Sequence, residues 1–169
     1  MESLQAIVDI DYSPIEYINN GGSSIPTKKG YIGYKLITTE DEIMVAIDDY
    51  TQCCETYGVA LAVSKDLESE KLQQLADFFN NPGNLSGIQI LSKKYISYDD
   101  NKKLLISLRI ITSVGIDDDF SDIYEHNWGC IEINTNYGIL YLVAWECHNG
   151  YYSHNAQLVC SNFKYDIEL

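Results

Sequence analysis

The stretch His148-Asn149-Gly150-Tyr151-Tyr152-Ser153-His154 gathers two imidazoles and two phenols in one short connection, and Cys53-Cys54-Glu55, far upstream, sets two thiols beside a carboxylate. Three chemistries use such groups. Imidazole and thiolate are the usual donors to zinc, so His148 and His154 with Cys147, Cys53 or Cys54 could enclose a metal, with Glu55 as base beside a metal-bound water. A thiol next to an imidazole can be held as thiolate and attack a carbonyl, which makes Cys53, Cys54 or Cys147 a candidate nucleophile. Tyr151 and Tyr152 beside Asn149 could sandwich a nucleobase and bond its edge.

Each chemistry has a plainer competitor. Cys53 and Cys54 are adjacent, so a strand would point them to opposite faces and only one could easily ligate. The sequence has no C-x-x-C pair, no third ligand at a convincing spacing, and neither an oxyanion-hole signature nor a third group to orient a Cys/His pair. Buried cysteine commonly acts as a small hydrophobe. Asn149-Gly150 is a favoured tight-turn dipeptide, so part of the stretch can serve only to reverse the chain. No catalytic residue, metal or cofactor is assigned on these grounds. His148, Asn149, Tyr151, Tyr152, His154, Cys53, Cys54 and Glu55 stand as candidates for lining a ligand pocket.

The elements that must position these residues are mostly strands. Tyr31 to Thr38 and Ile43 to Asp48 are rich in branched and aromatic residues around the polar turn Thr39-Glu40-Asp41-Glu42, which predicts a hairpin. Leu67, Leu72, Leu75, Phe78 and Phe79 fall near helical spacing, with Ser64 or Asp66 as the cap and Asn80-Asn81-Pro82-Gly83 as the stop. Ile88 to Tyr98 and Lys103 to Thr112 around Asp99-Asp100-Asn101 predict a second hairpin. Cys130 to Asn134 and Ile139 to Cys147 around Thr135-Asn136-Tyr137-Gly138 predict a third, and Asn155 to Cys160 another strand. The expected class is α+β, a mostly antiparallel and curved sheet with one main helix packed on one face. Residues 1–29, with the turn-forming run Asn19 to Ser24, read as an N-terminal segment and loop appended to a single domain over 30–169.

The chain of 169 residues suits one domain with one core. Its 25 acidic against 11 basic residues give a formal charge of −14. Such a surface repels phosphate backbones, so direct nucleic-acid binding is disfavoured, while encounter with a basic partner is accelerated. No G-x-x-x-x-G-K-[ST] or G-x-G-x-x-G motif is present, which counts against kinase, ATPase and dinucleotide chemistry. The run Asp117-Asp118-Asp119-Phe120-Ser121-Asp122 lacks the register and the terminal glutamate of a calcium loop and reads as solvated. No apolar run reaches membrane-spanning length and the first residues do not resemble a signal peptide; with an odd five cysteines, this predicts free thiols and a cytoplasmic protein.

Cys53-Cys54-Glu55-x-x-Gly58 together with Trp145-x-x-His148-Asn149-Gly150-Tyr151-Tyr152-Ser153-His154 resembles the motif pair of a family of small proteins of phages and prophage-bearing bacteria, a domain of unknown function. The resemblance spans about Gly30 to Val159 and brings no assigned catalytic residues. It implies a phage accessory protein acting in the host cytoplasm. With the charge of −14, it leads to the expectation of a non-enzymatic inhibitor of a bacterial anti-phage system. Asp48, Asp49, Asp117, Asp118, Asp119 and Asp122 would imitate phosphates on the basic surface of a host defence protein. Two alternatives stay open. One is sequestration of a small nucleotide by Tyr151, Tyr152, His148 and His154, aided by a basic patch around Lys93-Lys94 and Lys102-Lys103. The other is a Cys/His or metal-assisted hydrolase.

Overall fold

A computed structural model describes residues 1–12, 17–20, 23–26, 30–49, 56–112, 115–120, 126–147 and 153–169. The strands are β1 (Leu4–Tyr12), β2 (Tyr17–Asn20), β3 (Ser23–Pro26), β4 (Tyr31–Thr38), β5 (Glu42–Asp48), β6 (Thr56–Ser64), β7 (Ile90–Ser97), β8 (Leu108–Thr112), β9 (Gly115–Asp119), β10 (His126–Thr135), β11 (Gly138–Cys147), β12 (Asn155–Cys160) and β13 (Phe163–Glu168). The helix α1 (Ser69–Asn80) lies between β6 and β7. The fold is α+β, as the sequence leads one to expect, but the strands divide between two main sheets where a single curved one was expected. A five-stranded sheet runs β1-β4-β5-β12-β13 and a six-stranded sheet β7-β10-β11-β6-β8-β9; β2 and β3 pair separately. All the pairings are antiparallel.

The sheets stack because their strands alternate with the period of two that a pleated backbone imposes. Ile43, Val45 and Ile47 of β5 with Ala156 and Leu158 of β12 meet Leu61 and Val63 of β6, Ile131 and Ile133 of β10 and Leu140 and Leu142 of β11 in one buried cluster. The intervening residues Ala60, Ala62, Cys130, Tyr141 and Val143 form a second cluster on the outer face of the six-stranded sheet, under Leu104, Leu105, Leu108 and Phe120. β11 is therefore covered on both faces, which is why Ile139 to Trp145 reads as an unbroken apolar run. In α1, Leu75 enters the inter-sheet cluster while Leu72, Phe78 and Phe79 pack against it.

Four expectations are corrected here. Residues 4–12 are no appendage: β1 pairs with β4 from Leu4 opposite Thr38 to Tyr12 opposite Tyr31. The run Asn19 to Ser24 lies partly in strands, since β2 pairs with β3. Ser64 does not cap the helix, because its hydroxyl accepts the Asp66 amide at 3.1 Å in the turn after β6; Glu68 takes the cap position without a side-chain bond. The expected hairpin between residues 88–98 and 103–112 does not form, since β7 pairs with β10 and β8 with β6. Turns near Asn101 and Leu104 carry Leu104 and Leu105 across the outer face, where burial outweighs local pairing. The hairpins β4–β5 and β10–β11 stand as expected.

A buried ion cluster ties the two sheets at one end. The Lys93 ammonium of β7 donates to Glu2 Oε1 and Oε2 at 2.9 and 3.0 Å and to Asp41 Oδ2 at 2.8 Å. The Asp41 carboxylate also accepts the Glu42 amide at 2.8 Å, the Ser161 amide at 3.0 Å and the Ser161 hydroxyl at 2.9 Å. One group thereby joins the β4–β5 turn, the β12–β13 turn, β7 and the residues before β1. Burial pushes the Asp41 carboxyl up, but the bonds from Lys93 and Ser161 outweigh it and hold the group below its ordinary value. Burial likewise pulls Lys93 down, and the bonds and charges of Asp41 and Glu2 reverse the sign and raise it. Asp41 thus contributes stability that is complete above the ordinary carboxylate value of 3.8 and is lost as pH falls through its lower folded value. Lys93 contributes stability present below 10.5 and lost as pH rises through its higher folded value. Lys93→Met leaves two carboxylates without their cation and is expected to lower the unfolding free energy by about 3–5 kcal/mol in urea titrations. It should also flatten the acid limb of the stability profile; a profile of unchanged shape would show that the cluster contributes nothing.

Candidate functional site

Asp48, Tyr57, Glu146 and His154 meet at the end of the sandwich where β5 and β11 stop and β6 and β12 begin. Strand alternation explains the meeting. Glu146 continues the inward series Leu140, Leu142 and Ala144 of β11, and His154 precedes the inward series Ala156, Leu158 and Cys160 of β12. Asp48 ends β5 beside Asn155, one step beyond the Ile47–Ala156 pair. Among the four, Asp48, Glu146 and His154 are buried, the His154 residue being 1% exposed.

The imidazole is held on every side. Its Nδ1 lies against the Asp48 carboxylate and 2.8 Å from the Asp48 carbonyl. Both neighbours are acceptors, so Nδ1 carries the proton and donates it. Nε2 lies 3.9 Å from Glu146 Oε1, beyond hydrogen-bond range, and the other Glu146 oxygen accepts the His154 amide at 2.9 Å. The Asp48 carboxylate also accepts the Asn155 amide at 3.0 Å, and the Leu169 amide donates to the His154 carbonyl at 2.8 Å. Tyr57 stacks on the ring with centroids 4.1 Å apart and donates its hydroxyl to Asp49 at 2.6 Å.

This arrangement fixes what His154 can do. A buried Nδ1–H committed to Asp48 cannot offer that nitrogen to a metal, and among the described residues no group of three or more His, Cys, Asp or Glu is placed to hold one. Cys147 alternates with Glu146 on β11, so the two side chains take opposite faces of the sheet. Cys130 is buried, and burial, with the charge of Glu132 added, pushes its thiol far above the ordinary range; it is an inert core residue.

The sequence candidates divide sharply. His154 and Asp48 come together in the interior: His154 is buried, and Asp48, expected on an acidic docking face, is buried beside it. Asp49 is half-buried and engaged by Tyr57. Asp117, Asp118 and Asp119 belong to β9, an edge strand, where a loop was expected. His148, Asn149, Tyr151, Tyr152, Cys53, Cys54, Glu55 and Asp122 lie outside the described residues. The expected basic patch loses Lys93 to the buried ion cluster. Sequence reasoning missed Glu146 and Tyr57. The signal for Glu146 was present, a lone carboxylate at the inward parity of an apolar strand.

The cluster sits where the motif-bearing segments attach. Thr56, which follows segment 50–55, pairs with Cys147, which precedes segment 148–152, and His126 pairs with Cys147 from the other side. No family model, curated protein or solved structure matches the chain. His154→Ala takes the imidazole donor from the buried Asp48 carboxylate and the ring that Tyr57 covers, and is expected to cost about 3 kcal/mol in unfolding free energy. Glu146→Gln keeps an oxygen for the His154 amide and is expected to cost about 1 kcal/mol or less. Equal losses in chemical denaturation would contradict this division of roles.

Proposed function

We propose that this chain is a phage-type accessory protein that inhibits a bacterial anti-phage defence protein by stoichiometric binding, docking acidic sheet edges on the basic surface that the target uses for nucleic acid. The observation that carries the reading is where the acid excess lies. β1, β9 and β13 are edge strands, and they carry Asp9 and Asp11, Asp117 to Asp119, and Asp166 and Glu168. Glu68, Glu70 and Asp77 add exposed carboxylates around and on α1. Basic charge is partly withdrawn, since Lys93 is enclosed by Glu2 and Asp41 and Lys35 pairs with Glu42 at 3.1 Å.

Charged edges also keep a sheet from pairing with another chain, and that service to solubility is the competing explanation. Partner binding separates the two. Capture from a lysate of a phage-resisting bacterium is expected to retain a basic nucleic-acid-binding protein. Its retention should fall steeply between about 50 and about 200 mM salt and yield to added DNA or RNA. Replacing Asp117, Asp118 and Asp119 by lysine should abolish capture without lowering the melting temperature. Retention indifferent to salt and to nucleic acid, or no retention at all, would overturn the proposal.

A further inference from the structure

An aromatic seal closes the two sheets on one side, and a cleft enters between them on the other. Where β13 lies against β7, Tyr95 stacks on Tyr165 with centroids 4.1 Å apart and approaches Phe163 at 6.3 Å. On the opposite side, a cleft of about 460 Å³ opens between β1 and β4 and the facing β6 and β8, beside the point where β4 approaches β6. Ile7 and Leu36 form one wall, Val59, Leu61 and Ile111 the other, and Phe79 from the last turn of α1 borders it. A volume of this size falls within the roughly 300–1,000 Å³ of small-molecule sites.

Gln5, Asp9 and Tyr34 supply the polar side chains of the cleft. Asp9 and Tyr34 stand directly opposite each other in the β1–β4 register, so their side chains share one face. Asp9 is exposed and Tyr34 half-buried. Among the described residues neither side chain has a hydrogen bond or an ion pair. Burial, and after it the charge of Asp9, raises the Tyr34 hydroxyl above its ordinary value, so it stays a neutral phenol beside a carboxylate.

We propose that this cleft binds a small amphiphilic organic cation, with its aromatic or branched hydrocarbon body between the sheets and its ammonium between the Asp9 carboxylate and the Tyr34 hydroxyl. An ammonium has donors for both oxygens, and the apolar walls take up the hydrocarbon body while the charged end stays at the exposed mouth beside Asp9. An anion meets the Asp9 carboxylate and a chain of formal charge −14, and among the described residues no Lys, Arg or His lines the cleft to offset them. The site is therefore distinct in chemistry from a nucleotide pocket, and it lies apart from the His154 cluster.

The test compares phenylbutylamine, phenylbutanol and phenylbutyrate, which share one hydrocarbon body, by titration followed through the methyl resonances of Ile7, Leu61 and Ile111. The amine is expected to bind about tenfold more tightly than the alcohol and the acid most weakly. Asp9→Asn, an exposed substitution that leaves the core untouched, should bring the amine to the level of the alcohol, and Tyr34→Phe should weaken the amine while sparing the alcohol. Binding of the amine no tighter than the alcohol, an unchanged affinity in Asp9→Asn, or the absence of methyl shifts with all three compounds would overturn the proposal.

Discussion

The contact between His154 Nδ1 and Asp48 is the interaction on which the arrangement of one whole end of the molecule depends. An imidazole taken out of water must find an acceptor for its N–H, and a carboxylate taken out of water must find donors. Each supplies what the other needs, and the Asn155 amide completes the carboxylate. Satisfying that pair brings the end of β5 to the start of β12, sets the Glu146 carboxylate under the His154 backbone, and leaves a ring face for Tyr57 to cover. Strand ends otherwise splay and fray, so the positions from which segments 50–55 and 148–152 depart follow from this one contact.

The opposite end shows the same logic with stronger charges. There the Lys93 ammonium gathers two carboxylates from the chain before β1 and from the β4–β5 turn. Between the two polar ties the sheets meet through apolar residues, aliphatic at the centre and aromatic where Tyr95 meets Phe163 and Tyr165, whose burial is favourable but non-directional. The ties fix which turn lies over which strand. Polar satisfaction is incomplete even beside one tie: the indole N–H groups of Trp128 and Trp145, which stand opposite each other in register one step before Glu146, are buried without a partner among the described residues. The cleft between β1 and β8 lies on the side that the aromatic seal of Tyr95, Phe163 and Tyr165 does not reach.

Local features were legible in the sequence wherever a periodic pattern met its own turn. The β10–β11 hairpin closes over a few residues and ends in Gly138, whose φ of 123° suits glycine, so pattern and turn agree. The apparent hairpin around Asp99-Asp100-Asn101 has the same surface features and fails, because covering the outer face of the six-stranded sheet with Leu104 and Leu105 is worth more than pairing with β7. No window of sequence contains that comparison. β1 was hidden for a related reason: its acidic residues belong to an edge strand, and edge strands carry charge. At the candidate site the residue types were visible and the roles were not. His154 attracted attention as a ligand, and burial with Asp48 makes it part of the framework.

Acidic edges on a framework held by buried polar ties are what the proposed binding role requires: a rigid body that would present charge to a basic partner. That role stands on His154 being part of the rigid body. The most direct measurement is nitrogen-15 NMR of the His154 imidazole in the intact protein. The structure predicts a proton on Nδ1 that exchanges slowly with water and shows a hydrogen-bonded, strongly downfield resonance. A ring protonated only at Nε2, or an Nδ1 proton that exchanges as fast as that of an exposed histidine, would contradict it.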